Sequence, residues 1–134
     1  SGTCPTSGNP EILYRVDRFL HRVPYEKTPK VYAACDILLK TSLLESFSYP
    51  PLEMMASGGY VVAVPNGGNL EYLKDGENCI LYPQGNLAEA KAAIERILTD
   101  AELRKKLDTG AEETVKERNW KRIEPQILEQ YLGK

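Results

Sequence analysis

Residues 40–59 constrain the fold more than any other part of this 134-residue chain. An apolar run, residues 37–39, leads into them and has the length and composition of a buried strand. After a polar loop, Pro50 and Pro51 indicate the first turn of a helix, because proline's fixed φ suits that turn and its missing N–H has no partner there. Two glycines then indicate the end of the helix. The pattern predicts a strand–loop–helix unit.

Two carboxylates occupy this unit where a ligand could bind. Glu45 lies in the loop, and Glu53 lies in the first turn of the helix, eight positions later. In an open α/β sheet, ligands bind beyond the carboxyl ends of the strands. Leu52, Met55 and Ala56 fall at i, i+3 and i+4, so they predict the apolar face of the helix.

Other segments predict the elements around this unit. Strands are expected over residues 12–20, 60–64 and 79–82. Helices are expected over residues 28–35, after Asn86, after Asp100 and after Asn119. For these helices we expect Thr28 as a cap, an apolar face at Leu87, Ala90, Ile94, Ile97 and Leu98, and a late start or a kink at Pro125.

Short motifs around the two glutamates follow one another in a fixed order. They are Cys35-Asp36, Thr41-Ser42, Glu45-Ser46-Phe47-Ser48, residues 52–58, Tyr60-Val61-Val62, Gly67-Gly68-Asn69-Leu70-Glu71, Asp75-Gly76 and Cys79-Ile80-Leu81. This series resembles that of the retaining glycosyltransferases with two facing Rossmann-like domains, the GT-B architecture, chiefly family 4. The likeness covers residues 11–131 and is far more specific than a single short motif.

The resemblance implies a fold and a function. The fold would be α/β, a three-layer αβα Rossmann-like domain with a mostly parallel sheet. Residues 1–134 would form a single domain, the larger part of the GT-B C-terminal domain that binds the nucleotide sugar, with the N-terminal acceptor domain absent. The longer protein would transfer a sugar from a nucleotide diphosphate sugar to an acceptor glycan or lipid, with retention. This chain alone is expected to be inactive, because the acceptor would sit mainly on the other domain.

The resemblance also assigns roles to individual residues. Glu53 would bind the ribose, since one carboxylate can accept from two adjacent hydroxyls. Glu45 would be the catalytic carboxylate, holding sugar hydroxyls and stabilising positive charge at the anomeric carbon. Phe47 and Ser48 would donate backbone N–H groups to the sugar, and Tyr49 completes the substrate-binding set.

Two more segments are expected to contact the nucleotide. Arg22 and Val23 lie in the segment that matches the family's base-binding loop; without the resemblance, an ordinary connection is the preferred interpretation. Gly67 and Gly68 precede a predicted helix start at residues 68–71, where backbone N–H groups could bind a diphosphate. A turn followed by a cap is the alternative for these glycines.

The chain departs from the family pattern in two places. Ser46 and Ser48 stand where the family has glycine, and serine would be strained if the loop needed positive φ there. The Arg and Lys that bind the diphosphate in the family have no counterpart in the matching place. Two alternatives therefore stay open: a non-catalytic module that binds nucleotide sugar or protein, and a nucleotide-sugar epimerase of the same architecture.

Composition limits the other partners. A net charge of −2 provides no basic field for nucleic acid. No apolar run reaches the length of a membrane span, although the longer protein could associate peripherally with a membrane. Cys4, Cys35 and Cys79 lack metal-ligand spacing, and reduced thiols fit a cytoplasmic location. We expect no metal site and no cofactor besides the nucleotide sugar.

Overall fold

The computed structural model describes residue 18 and residues 20–132. The strand predicted over residues 12–20 therefore lies almost wholly outside the described residues. A short 3-10 turn, Tyr25–Lys27, precedes the first helix. The described elements are, in chain order, α1 (Thr28–Ala33), β1 (Ile37–Lys40), α2 (Tyr49–Ala56), β2 (Tyr60–Ala63), β3 (Ile80–Leu81), α3 (Leu87–Thr99), α4 (Ala101–Glu117) and α5 (Trp120–Leu132).

The three described strands form one parallel sheet in the order β1–β2–β3. The register places Ile37 beside Tyr60, and Val62 beside Ile80. Because the strands are parallel, their carboxyl ends lie at the same edge of the sheet. The loop that follows β1 and the loop that follows β2 are therefore neighbours, as the predicted unit requires.

Strand β2 is buried on both faces, which confirms the three-layer architecture. Strand β1, predicted to be buried, has no buried residue and its Leu39 is 46% exposed, because β1 lies at the edge of the described sheet. Val61 packs in an apolar cluster with Met54 of α2. Val62, the next residue of β2, packs in a second cluster with Ile97 of α3. Successive residues of a strand point to opposite faces, so β2 lies between the two helices. Helix α4 contributes to both clusters, and burial of these side chains stabilises the sheet between its helical layers.

Helix α2 ends at the predicted glycines in a Schellman motif. The Gly59 N–H donates to the Met54 carbonyl at 3.0 Å, and the Gly58 N–H donates to the Met55 carbonyl at 3.1 Å. Gly58 adopts a φ of +81°, a conformation that suits glycine. This ending turns the chain directly into β2 beside β1.

The predicted apolar face of α2 was wrong by one position. Pro51, Met54 and Met55 are buried, whereas Leu52 is half-buried and Ala56 is exposed. The reason is tertiary: α2 packs on the sheet through Met54 and on α4 through the same side. Glu53, next to this face, is left half-buried at its border.

The predicted caps of α3 and α4 are confirmed. Asn86 Oδ1 accepts the Glu89 N–H at 3.1 Å, and Asn86 Nδ2 donates to Glu89 Oε1 at 2.8 Å. Asp100 Oδ1 accepts the Leu103 N–H at 2.9 Å. These bonds satisfy N–H groups that have no partner within a helix.

Three other local predictions need correction. Thr28 is the first residue of α1 rather than its cap, because the preceding 3-10 turn continues directly into the helix. Leu87 and Leu98 of α3 are exposed, and the smaller Ala93 faces the sheet instead. Helix α5 starts at Trp120 and includes Pro125, so the predicted late start is wrong.

Candidate functional site

The loops after β1 and β2 are joined by hydrogen bonds at the carboxyl edge of the sheet. Asn66 Nδ2, after β2, donates to the Ser42 carbonyl, after β1, at 2.9 Å. Farther along the same loops, the Tyr72 hydroxyl donates to the Ser48 carbonyl. The two loops therefore form one ordered surface, on which Glu45 and the start of α2 lie.

Two buried asparagines organise the loop after β2. Asn66 Oδ1 accepts the N–H groups of Gly68 and Asn69, both at 3.0 Å. Asn69 Nδ2 donates to the Val64 carbonyl at 2.9 Å. Buried amides need such partners, and here they hold the chain in successive turns. The structure has turns over residues 67–72, so the helix predicted to start at residues 68–71 is absent there.

Gly68 allows these two loops to touch. A Cβ at this position would lie 2.5 Å from the Glu45 carbonyl oxygen, whereas a Cβ at Gly67 would meet nothing within 4 Å. The Gly68 N–H is already bonded to Asn66. Close packing against the Glu45 backbone thus explains the glycine at 68, while diphosphate binding at Gly67 and Gly68 stays a prediction.

Glu45 is held by a lysine that sequence reasoning missed. Lys40, the last residue of β1, donates through Nζ to Glu45 Oε1 and, at 2.9 Å, to Ser42 Oγ. The two charged side chains are only 16% and 21% exposed. The Lys40 ammonium is the main cause that lowers the pKa of Glu45 below its ordinary value. The carboxylate is therefore ionised at neutral pH.

Two polar atoms beside this ion pair have no hydrogen-bond partner among the residues that the structure describes. They are Glu45 Oε2 and Ser48 Oγ, and both are buried. The Ser48 hydroxyl also contributes to the low pKa of Glu45, although its geometry falls short of a hydrogen bond. Buried polar groups are seldom left unpaired. These two atoms are therefore candidates for contact with a ligand.

Ser48 confirms the strain expected from a serine in this loop. It adopts the left-handed conformation, with φ of 63° and ψ of 71°, directly before α2. Ser46 is not among the described residues with positive φ. A side chain in this conformation costs about 1–2 kcal/mol. The Tyr72 bond to the Ser48 carbonyl and the burial of Ser48 hold the residue there.

Phe47 fixes the loop through its ring and leaves Tyr49 at the surface. The Phe47 ring centroid lies 5.0 Å from that of Tyr49 and 5.4 Å from that of Tyr72. Phe47 is half-buried against the core, whereas Tyr49 is 59% exposed. The ring of Phe47 thus anchors the loop, and Tyr49 is accessible at the start of α2.

Glu53 faces a cavity between α1 and α2. The cavity has a volume of about 430 Å³, and Tyr25, Thr28 and Tyr32 line it together with Glu53. Burial, followed by the nearby Glu53 carboxylate, raises the pKa of Tyr32 to about 12. Tyr32 is therefore neutral and remains a possible hydrogen-bond donor beside Glu53.

Arg22 and Val23 line a different cavity. Its volume is about 590 Å³, and Lys27 and Lys30 of the turn and α1 also line it. Residues 28 and 32 of α1 line the Glu53 cavity, whereas residues 30 and 34 line this one. Each pair is about one helical turn apart, so the two cavities flank α1 on opposite sides. The described structure does not bring Arg22 and Val23 into the Glu53 cavity, and their contact with a nucleotide stays a prediction.

The family model described as "Glycosyl transferases group 1" matches residues 16–114, well over half of the chain. This chain belongs to that family. Its likeness to the GT-B glycosyltransferases, inferred from the motif series, is thereby confirmed.

Individual relatives of this glycosyltransferase domain agree. The O-antigen biosynthesis protein RfbC of Myxococcus xanthus is 35% identical over 117 residues, which are 85% of this chain and 9% of that protein. The structure of Anabaena Alr3699/HepE in complex with UDP-glucose is 29% identical, with a TM-score of 0.71 over 79% of this chain and 30% of that chain. The C-terminal domain of the glycosyl transferase group 1 protein LpcC from Francisella tularensis is 27% identical, with a TM-score of 0.66 over 75% of this chain and 51% of that chain.

The domain is shorter than the proteins it resembles. It spans between 9% and 27% of the length of the curated relatives. Across residues 20–132, no helix combines the length and apolar character needed to cross a membrane. In the same part of the chain, no group of three His, Cys, Asp or Glu side chains is placed to hold a metal ion.

Lys40 could have been noticed in the sequence of the glycosyltransferase domain. It directly follows the apolar run of β1, at the edge where parallel strands present ligand-binding residues. A charged residue at the end of a strand that is predicted to be buried is a signal that a partner is nearby. Its partnership with Glu45, five positions later, depends on the path of the loop and could not be derived from the spacing.

Proposed function

We propose that this chain binds the nucleotide-sugar donor in a retaining glycosyltransferase that transfers the sugar to an acceptor glycan or lipid. One observation carries the proposal: an ionised Glu45 with an unpartnered, buried oxygen lies at the carboxyl edge of the parallel sheet. Membership of the glycosyltransferase family supports it, as does the likeness to a protein whose structure contains UDP-glucose.

In this proposal, Glu45 acts by position and charge. Departure of the diphosphate breaks the bond between the anomeric carbon and its oxygen, so positive charge develops at that carbon. A fixed carboxylate nearby stabilises this charge without having to reorganise. The acceptor hydroxyl forms the new bond on the same face, and its proton passes to the departing diphosphate. Lys40 keeps Glu45 ionised for this purpose.

The other residues bind the donor. Glu53 would accept hydrogen bonds from the two ribose hydroxyls, in the cavity where it lies beside Tyr32. Backbone N–H groups of Phe47 and Ser48 would donate to the sugar, and the exposed Tyr49 would contact it from the start of α2. The base would reach Arg22 and Val23, and the diphosphate would approach Gly67 and Gly68.

The reaction would need the longer protein, no obligatory metal and no further cofactor. This chain spans a minor part of its relatives, so the acceptor would bind a second domain, and the isolated chain would not catalyse transfer. Unchanged activity in EDTA would support the metal-free mechanism. Cys35 and Cys79 are unpaired, which fits a cytoplasmic site of action, with peripheral attachment to a membrane where the acceptor is a lipid.

The proposed role in cell-surface polysaccharide synthesis is supported by the name of one relative. The protein of Myxococcus xanthus is named for O-antigen biosynthesis, and its similarity extends over 85% of this chain. The epimerase and the non-catalytic module remain the alternatives to a transferase. A non-catalytic module would bind the donor but show no turnover, either in wild type or in Glu45 variants.

The ribose assignment predicts that Glu53→Ala weakens binding of UDP about tenfold or more, because charge-assisted hydrogen bonds to two hydroxyls are lost. Affinity is measured by titrating the chain with UDP and following its NMR signals, which report millimolar binding. Glu95→Ala is the matched control, since Glu95 is an exposed helical glutamate on α3, away from the sheet edge. Equal affinities in wild type, Glu53→Ala and Glu95→Ala would refute the assignment.

A further inference from the structure

The lysine at the end of β1 is unusual because it is mostly buried. Its side chain is 16% exposed, although lysine is among the residues most often left in water. Its Nζ makes two bonds, one to Glu45 Oε1 and one to Ser42 Oγ. A buried ammonium is tolerated when it is paired in this way. The pair needs an explanation beyond stability, since replacing a buried ion pair by apolar side chains is often neutral or stabilising.

We propose that Lys40 is the positioning residue of Glu45: it holds Oε1 and leaves Oε2, beside the Ser48 hydroxyl, as the acceptor for one hydroxyl of the donor sugar. This inference rests on the proposed function. Lys40 itself does not touch the sugar, and neither its role nor that of the Ser48 side chain follows from the motif series.

The geometry around Lys40 restricts the carboxylate to one orientation. Ser42 provides the second acceptor for Nζ, and the Ser42 carbonyl is itself fixed by Asn66. The ammonium is therefore held by two acceptors of the loop after β1, and it holds one carboxylate oxygen of Glu45 in turn. Glu45 cannot turn its second oxygen away without breaking a buried, charge-assisted bond.

The two unpartnered atoms suit a single hydroxyl group. Glu45 Oε2 can only accept a hydrogen bond, and the Ser48 hydroxyl can donate one. A sugar hydroxyl both donates and accepts, so it can satisfy the two atoms at once. Ser48 is held in its left-handed conformation next to α2, which fixes where its side chain starts. A carbonyl or phosphate oxygen, which has no proton to give, would not satisfy Glu45.

The rival role for Lys40 is direct binding of the diphosphate. The burial of its side chain and its two existing bonds argue against this role, because a phosphate would have to displace Glu45 or Ser42. The two roles predict different effects of replacing Lys40. If Lys40 positions Glu45, its replacement weakens binding of UDP-glucose only, whereas if Lys40 binds phosphate, its replacement weakens binding of UDP and UDP-glucose equally.

The first test requires no ligand. Carbon-13 NMR of labelled glutamate carboxyls measures the pKa of Glu45 in wild type, Lys40→Met, Lys40→Arg and Lys116→Met. The control is matched, because Lys116 also pairs with a glutamate, Glu112, but on the exposed face of α4. The groups that act on Glu45 are Lys40 and the hydroxyls of Ser42 and Ser48, while the nearby Tyr72, whose pKa is raised by burial, stays neutral.

The expected result is specific to Lys40. The pKa of Glu45 lies below its ordinary value in wild type, Lys40→Arg and Lys116→Met, and rises in Lys40→Met because the largest of the causes that lower it is removed. The hydroxyls of Ser48 and Ser42 still act against burial in that variant. An unchanged pKa in Lys40→Met would overturn the inference. Since this titration uses the chain alone, failure of the proposed function would leave its outcome valid.

The second test compares UDP-glucose with UDP as probes. We expect Lys40→Met to bind UDP like wild type but to bind UDP-glucose about tenfold more weakly than wild type does. Lys40→Arg should restore part of the affinity for UDP-glucose. Lys116→Met should match wild type for both probes. If Lys40→Met loses the same affinity for UDP as for UDP-glucose, Lys40 binds phosphate. If wild type binds UDP and UDP-glucose equally well, Glu45 contributes nothing to binding of the sugar. Either result overturns the inference, while normal binding of UDP alone leaves the nucleotide-binding part of the proposed function in place.

Discussion

If the chain acts in a glycosyltransferase as proposed, Glu45→Gln is expected to remove most of the turnover, while binding of UDP stays normal. The substitution keeps the size of the side chain and removes the charge that would stabilise the anomeric carbon. Loss of one preorganised electrostatic group commonly lowers kcat about 100- to 1,000-fold. The measurement is kcat with a nucleotide sugar, together with the dissociation constant of UDP.

Glu77→Gln serves as the control for this experiment. Glu77 is also a glutamate in a loop and pairs with Lys74 at 3.9 Å, but it is exposed and far from the loop after β1 in sequence. It should keep full turnover. If Glu45→Gln lost UDP affinity and kcat to the same extent, the division of roles between Glu45 and Glu53 would be wrong.

Gly68→Ala is expected to destabilise the domain by about 1–3 kcal/mol, the usual cost of forcing a methyl group into a packed region. The new Cβ would lie 2.5 Å from the Glu45 carbonyl oxygen and 2.9 Å from the Ser46 carbonyl carbon. These are backbone atoms, so they cannot move aside as the end of a flexible side chain would. The free energy of unfolding, measured by urea denaturation, reports the cost.

Gly67→Ala is the control, one residue away. A Cβ at Gly67 meets nothing within 4 Å, and its φ is not in the left-handed range. Its stability should stay within about 0.5 kcal/mol of wild type. Equal destabilisation by the two substitutions would mean that the loops after β1 and β2 do not touch where the structure places them.

The strand–loop–helix unit could be predicted because its signals are local. The prolines at the start of α2 and the glycines at its end act through their own backbone preferences, which hold wherever the chain folds. The same is true of the caps formed by Asn86 and Asp100. An ordered series of motifs then identified the family, which the match over residues 16–114 confirms.

The details of the site depend on the paths of the loops and on how the elements pack, which the sequence pattern does not contain. The ion pair of Lys40 depends on the path of the loop after β1. Turns replace the helix predicted after β2, and in these turns the buried side chain of Asn69 binds the Val64 carbonyl. The buried face of α2 shifted because packing on both the sheet and α4 selects Met54 rather than Ala56.

Mapping UDP-glucose on the isotope-labelled chain by backbone amide NMR tests the central claim most directly. The account predicts saturable shifts at Phe47, Ser48 and Glu53, with a dissociation constant near or above about 1 mM, which corresponds to roughly −4 kcal/mol. Amides around Glu95 of α3, which packs on the other face of the sheet, should not shift. Two results would contradict the claim that the carboxyl edge of this sheet binds the nucleotide sugar. One is a set of shifts confined to α3, α4 and α5. The other is the absence of saturable shifts even at UDP-glucose concentrations well above about 1 mM.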